Sequence, residues 1–330
     1  MPNSATNNLW PESEEAIHSI LTSPSTSQTF TLPSGRTIGY ATFGSSSPSA
    51  PTIFCLHGFP GSRLSGIFFH FPAKELEVKL IAIDRPGIGL SSPQQERTVL
   101  DHVQDIRDFA GGLKVQRYAV LGVSGGGLYA LACAAAIPSN EVAAVVVVAG
   151  LGPTDIGFKG MGWGNWCIFQ GFRYFPWLIN LLQEKALAAM TTIPKEKIVA
   201  MTVRKAGNSV WLGGAHPADI PLLTNEGFVE LMVDIQQEHF IQGVDGFMRE
   251  GKLFTSDSGF RIEDIAEEVQ VDLWYGKEDT NVPMSMGEEI YKRMGGGKDG
   301  KKRFFGVEGT HLGVILGCRR KILERLVERI

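Results

Sequence analysis

A serine becomes a nucleophile when a turn exposes its hydroxyl, a histidine takes its proton and a carboxylate holds that histidine. The chain offers such a turn at Gly122-Val123-Ser124-Gly125-Gly126. The apolar run 118–121 reads as a buried strand. The Ala-rich segment 128–137, stopped by Pro138, reads as a helix. Between a strand and a helix, a G-x-S-x-G turn is sharp and strained, and glycines stand where larger side chains would clash. The turn exposes the Ser124 hydroxyl and leaves the N–H groups that follow at a helix N-terminus, where they can hold an oxyanion. A Gly-rich turn without chemistry would carry the same letters. The flanking strand and helix are what favour catalysis.

Four other loops bear on the same chemistry. His57-Gly58-Phe59-Pro60-Gly61-Ser62 follows the apolar run 52–56. A Gly-rich turn at the C-terminal end of a strand leaves N–H groups free at the edge where open α/β sheets bind ligands. Paired with the Ser124 turn, it makes the Phe59 and Gly125 N–H groups the candidate oxyanion hole; the alternative is an ordinary βα turn. His57 itself is expected to hydrogen-bond its own loop. Asp84-Arg85-Pro86-Gly87 opens a tight loop that reads as structural, braced by its charges. Gly276-Lys277-Glu278-Asp279-Thr280 carries a carboxylate that can orient a histidine. Asp279 is the better candidate, Glu278 the second, and Asp272 a weaker rival inside the preceding strand. A helix-capping acid is the non-catalytic alternative there. Gly309-Thr310-His311 follows the last strand and opens the last helix. His18, His57, His70, His102, His216 and His239 compete with His311, but only His311 follows both a core strand and a carboxylate loop. The chain order Ser124, Asp279, His311 is that of a nucleophile-elbow site.

The whole chain must position these loops. Its 330 residues are 43% hydrophobic and 20% charged, with a net charge of −4, so a large core can be buried. No concentrated basic face suggests nucleic-acid binding. The four cysteines show no metal-ligand spacing, which points to no metal site and to a reducing, cytoplasmic setting. The N-terminus has no apolar signal core, and the longest apolar run, 142–149, is too short to span a membrane.

Residues 1–25 read as an N-terminal extension, with a short helix whose first turn could hold Pro11. A hairpin is expected at 29–32 and 37–43. Strands follow at 51–56, 80–84, 118–123, 142–150, 271–275 and 302–305, several of them continuous Val/Ile/Leu runs as in strands covered on both faces. Helices are expected at 99–112, 126–137, 286–293 and 311–330. This alternation predicts an α/β fold: a mostly parallel, doubly wound sheet with an N-terminal antiparallel hairpin. The rhythm breaks over 151–260, where helical runs at 163–183, 184–192, 195–205 and 224–242 suggest an insertion. The core is then 26–150 and 261–330.

The segments HGFPGS at 57–62, DRPGIGLSS at 84–92, GVSGGG at 122–127, GKEDTNVP at 276–283 and GTH at 309–311 resemble those of the α/β-hydrolase family, in the family's order. The resemblance implies Ser124 as nucleophile, His311 as base, Asp279 as acid and a helical cap over 151–260. HGFP stands where many lipases have HGGG, so the oxyanion loop is the plainer His-Gly-x type. The turn lacks the Gly-Gly-Ser-Trp-Gly pattern of proline iminopeptidases. A serine at 124, not an aspartate, disfavours epoxide hydrolase and dehalogenase chemistry.

The implied reaction is acyl transfer to water, which requires no metal or organic cofactor. Phe158, Met161, Trp163, Trp166, Phe169 and Trp211 could line an apolar pocket for a small-to-medium hydrophobic ester or lactone. They could equally serve only to pack the cap. C–C bond hydrolysis beside a ketone, a cofactor-free oxidative reaction and a non-catalytic small-molecule receptor are the alternatives on the same fold. The expected partner is a small-molecule substrate. The oligomeric state, including a homo-oligomer, stays open.

Overall fold

A computed structural model describes residues 9–207, 216–297 and 300–330. The first element among the described residues is a helix, α1 (Glu14–Leu21). It starts later than Pro11, because the Ser13 hydroxyl accepts from the Ala16 N–H and caps it. The hairpin β1 (Gln28–Thr31) and β2 (Thr37–Gly44) follows. Then strands and helices alternate: β3 (Thr52–Leu56), a 3-10 segment (Arg63–Phe69), α2 (His70–Glu75), β4 (Lys79–Ile83), α3 (Val99–Gly112), β5 (Tyr118–Val123), α4 (Gly126–Ala136) and β6 (Val142–Val148). After β6 the described residues form helices and no strand as far as Phe254: α5 (Trp163–Tyr174), α6 (Pro176–Thr192), α7 (Lys195–Gly207), α8 (Ile220–Leu223), α9 (Glu226–His239) and α10 (Asp245–Phe254). The alternation then resumes with β7 (Val271–Gly276), α11 (Met284–Arg293), β8 (Lys302–Val307), α12 (His311–Gly317) and α13 (Arg319–Val327).

The strands form one sheet in the order β1-β2-β4-β3-β5-β6-β7-β8. β1, β2 and β4 pair antiparallel, and from β4 to β8 every pairing is parallel. The period of two along each strand decides which layer a residue joins. Phe54, Leu56, Val120, Val145 and Val147 face a layer made with α3, α4 and α11. Ile53, Cys55, Ala119, Leu121, Val146 and Val148 face the opposite layer, with Phe69, α12 and α13. Both faces are covered, which is why these strands read as continuous apolar runs.

Proline and local capping set several boundaries. The helical run expected over 163–183 divides at Phe175–Pro176, because proline cannot donate to the preceding turn but suits the first turn of the next helix. The last helix divides at Cys318, just after Gly317. α3 keeps its expected bounds, fixed by a reciprocal capping box between Thr98 and Asp101. Among the described residues, no helix is long and apolar enough to cross a membrane.

Candidate active site

The parallel strands place the candidate loops at one edge of the sheet. β3 ends at the 57–62 loop, β5 at Ser124, β7 at the Asp279 loop and β8 at the loop before His311. Ser124 has φ of 52°, a left-handed conformation that a side chain with a Cβ rarely adopts. The strain is over-determined by hydrogen bonds. Ser124 N–H donates to the Val148 carbonyl at 3.0 Å, and its own carbonyl accepts from Gly127 N and Leu151 N, each at 2.9 Å. The flanking glycines are required by close approach. A Cβ on Gly126 would lie 2.1 Å from the Leu56 carbonyl oxygen, and one on Gly122 would lie 2.5 Å from the Ala130 Cβ. The expected turn is present for its expected reason.

Opposite the serine, the loop after β3 approaches closely. A Cβ on Gly58 would sit 3.3 Å from the Ser124 Cβ, and one on Gly125 would sit 3.2 Å from the Phe59 nitrogen. The Phe59 and Gly125 backbones are therefore neighbours. Gly125 precedes the first turn of α4, where helical N–H groups lack intrahelical partners. His57 serves its own loop: Nδ1 lies 2.9 Å from the Gly58 carbonyl, and Nε2 accepts from the Arg85 N–H at 3.4 Å. Burial first, and the Arg85 charge next, push His57 protonation well below the usual imidazole range, against the pull of the Gly58 carbonyl. A neutral ring that donates at Nδ1 and accepts at Nε2 fits both contacts.

On the far side, His311 Nδ1 lies 2.7 Å from Asp279 Oδ2. Asp279 Oδ1 accepts from Asn281 N at 2.8 Å and Val282 N at 2.9 Å. Its side chain is wholly buried. With both oxygens accepting, His311 Nδ1 carries the hydrogen, and Nε2 is left with its lone pair for another proton. The rivals are spent elsewhere. Asp272 pairs with Arg325 and Arg329, and Glu278 belongs to the exposed rim.

Two acids of the inserted helices join the site without a sequence motif. Asp219 Oδ1 accepts from the Thr310 hydroxyl at 2.5 Å, while Thr310 caps α12 by accepting from Gly313 N at 3.0 Å. Burial raises the Asp219 carboxyl above its usual range, opposed by the Thr310 hydrogen bond and by His216 and His311, with Asp279 acting in the same sense as burial. Glu250, fully buried on α10, pairs with Arg85 at 2.5 Å and with Arg97, and accepts from the Tyr129 hydroxyl at 2.8 Å. Arg85 in turn donates to the His57 carbonyl at 2.6 Å and the Gly58 carbonyl at 2.9 Å. Burial opposes ionisation of Glu250, but Arg85 and Arg97 hold its carboxyl down at about 2. The sequence did carry a signal for Glu250: it stands on the same stripe of α10 as Phe247 and Phe254, an acid where an apolar residue is expected. Asp219, in a short 3-10 turn, had none.

The inserted helices also supply an aromatic wall. Phe59 stacks on Phe247 with ring centres 4.7 Å apart and meets Phe254 at 5.2 Å and Phe172 at 5.9 Å. Met161 is buried with Phe169 and Phe254, and Phe158 stacks on Phe169 at 4.9 Å. Trp163 and Trp166 keep 54% and 46% of their surface open. Trp211 lies outside the described residues. The start of α5 is tied to the acid loop by Gly162 N to the Thr280 carbonyl at 2.7 Å and by Asn165 to Asn281 at 2.8 Å. A cleft of about 640 Å³ opens beyond Phe172, walled by Pro86, Gln94, Arg249 and Lys252; Ser124, Asp279 and His311 are not among its walls. Among the described residues no group of His, Cys, Asp and Glu could hold a metal ion.

Residues 53–249 match the model of the Alpha/beta hydrolase family, more than half of the chain. The chain belongs to that family. No curated protein sequence matches this α/β hydrolase. Solved structures share its fold. An esterase (EaEST) from Exiguobacterium antarcticum is 17% identical with a TM-score of 0.60, over 92% of this chain and 98% of that one. The enol-lactonase from Burkholderia xenovorans LB400 is 17% identical with a TM-score of 0.60, over 91% and 100%. A structure from work on carboxylesterases of the thaumarchaeon Nitrososphaera gargenis is 16% identical with a TM-score of 0.64, over 92% and 100%.

Proposed function

We propose that this α/β hydrolase cleaves a small-to-medium hydrophobic carboxylic ester or lactone through an acyl-enzyme on Ser124. The observation that carries the reading is the left-handed Ser124 at the head of β5, with the hydrogen-bonded His311–Asp279 pair on the neighbouring loops of the same sheet edge. His311 Nε2 takes the Ser124 proton as Oγ attacks the carbonyl carbon. The carbonyl π-electrons move to oxygen, and the Phe59 and Gly125 N–H groups stabilise that oxyanion, each donor worth about 3 kcal/mol in comparable sites. Collapse expels the alcohol oxygen, which takes the proton from His311. Water then repeats the cycle against the acyl-enzyme and releases the acid. Residues 151–260 act as the cap, and the aromatic wall of Phe59, Phe169, Phe172 and Phe254 favours an apolar acyl group. The esterase and enol-lactonase among the structural relatives agree with this substrate class.

A second reading, a small-molecule receptor on the same fold, draws support from the cleft whose walls exclude Ser124. One experiment separates the two. Intact mass of wild type and Ser124→Ala is read after a fluorophosphonate, followed by a panel of esters and lactones. A single adduct, absent from the variant, and turnover of short hydrophobic esters are expected. A folded wild type that takes no adduct would leave the receptor reading standing.

A further inference from the structure

The inserted helices carry an apolar surface that the proposed catalysis does not use. Among the described residues, the large apolar side chains with more than a third of their surface open sit almost all on α5, on α6 and at Phe175 between them; only Met201 and Ile241 lie elsewhere. On α5 the open face is aromatic: Trp163, Trp166 and Tyr174 share one helical stripe, while Phe169 and Phe172 on the other face are buried. α6 has no buried residue along its 17 positions. Its inward stripe, Ile179 and Leu187, packs against the cluster of Phe172, Phe240 and Phe247. Its outward stripe is largely open among the described residues, with Trp177 66% exposed, Leu181 41% and Leu182 52%. A helix held by one narrow stripe and apolar on the other behaves as buried from both sides.

The observations favour one occupant for the second side. From 163 to 192 the only charged residues are Arg173, Glu184 and Lys185. A surface built for anionic lipid carries a run of Lys and Arg on its polar face, which this hairpin lacks. Low charge with dense Trp, Tyr, Phe and Leu is instead the composition of a homodimer interface. The exposed aromatics and leucines of the hairpin amount to roughly 800–900 Å² on one copy, the contribution of one partner to a standard stable interface. An isologous contact brings the same patch from both copies, so no second complementary surface is needed. We propose that the α5–α6 hairpin is the dimer interface of this protein, each copy covering the outward stripes of the other. The inference stands whether or not Ser124 is catalytic.

Sedimentation velocity over a micromolar to hundred-micromolar range tests it. Wild type is expected to sediment as a dimer. The double variant Trp177→Glu/Leu181→Glu is expected to sediment as a monomer, its dissociation constant raised about 100-fold or more. Ile241→Glu, which puts the same charge on an open apolar residue outside the hairpin, should leave the dimer intact. Far-UV circular dichroism checks that each variant folds. If the glutamates unfold the hairpin, Trp177→Gln/Leu181→Gln takes their place with the same expectation. The thermal midpoint of wild type should rise with protein concentration, and that of the double variant should not. A wild type that is monomeric throughout, or a dimer indifferent to these substitutions, would overturn the proposal. So would a monomeric wild type that pellets with phosphatidylcholine vesicles, which would make the surface a lipid-facing one.

Discussion

Burial raises the Asp219 carboxyl above its usual range, and the group lies within the field of both His311 and Asp279. An acid whose folded pKa is raised binds more protons folded than unfolded across that window, so its contribution to stability falls as pH rises through it. Asp219→Asn keeps an acceptor for the Thr310 hydroxyl and removes the buried charge. The thermal midpoint at neutral pH should therefore hold or rise. If the second carboxylate helps His311 carry its transient positive charge, kcat/KM on an ester should fall about fivefold, the loss of about 1 kcal/mol of through-space attraction. A variant that loses stability instead would show the contact to be purely structural. At this scale the sequence was legible where a residue type is dictated by shape or by chain order, as with Ser124 between its glycines. It was silent where the partner comes from a distant turn, as with Asp219 and Thr310.

Among the elements, α10 ties the inserted helices to the loop after β4. Glu250 is paired with both Arg85 and Arg97, which are fully buried. Glu250→Gln would leave two buried cations without an anion, and breaking such a pair costs about 3–5 kcal/mol. Because the folded carboxyl is held down at about 2, the stabilisation is present above its ordinary range near 4.5 and is lost as pH falls toward 2. Urea unfolding as a function of pH should show a large gap between wild type and Glu250→Gln at neutral pH, closing over that acid window. Equal stabilities at neutral pH would contradict the ion-pair account. The strands were readable because burial on both faces leaves a continuous apolar signature. α10 was not, because its ten residues mix four acids or bases with glycines and only its inward stripe is apolar. The break at Phe175–Pro176 was written in the proline, but the apolar residues on both sides of it look like one run.

At the scale of the whole molecule, the N-terminal segment is a clasp. Trp10 is buried edge-on against Phe68 and Phe228, with ring centres 5.7 Å away in each case, and Arg319 lies over its ring at 5.4 Å. Arg319 also pairs with Glu12 at 2.6 Å. The 3-10 segment after β3, α9 of the insertion and the final helix thus meet on one side chain. Trp10→Ala should cost about 3–5 kcal/mol. Hydrogen exchange should quicken in α9 more than in β5, since α9 loses a support that the central strand does not share. Uniform exchange throughout would mean that the clasp only stabilises the fold globally. Composition placed residues 1–25 at the periphery, and nothing in their polar letters pointed to the distant rings that bury Trp10.

One peptide unit gains a meaning from these contacts. The carbonyl and the N–H of a trans peptide point in opposite directions. The Gly58 carbonyl is gripped by Arg85 at 2.9 Å and by His57 at 2.9 Å. The Phe59 N–H shares that plane and is thereby aimed away from Arg85, and it cannot swing round without breaking both grips. The fully buried carboxylate on α10 therefore sets, through a guanidinium and one rigid plane, the direction of a dipole at the mouth of the serine turn. In the proposed reaction, a donor fixed in advance needs no reorientation when charge develops on the carbonyl oxygen.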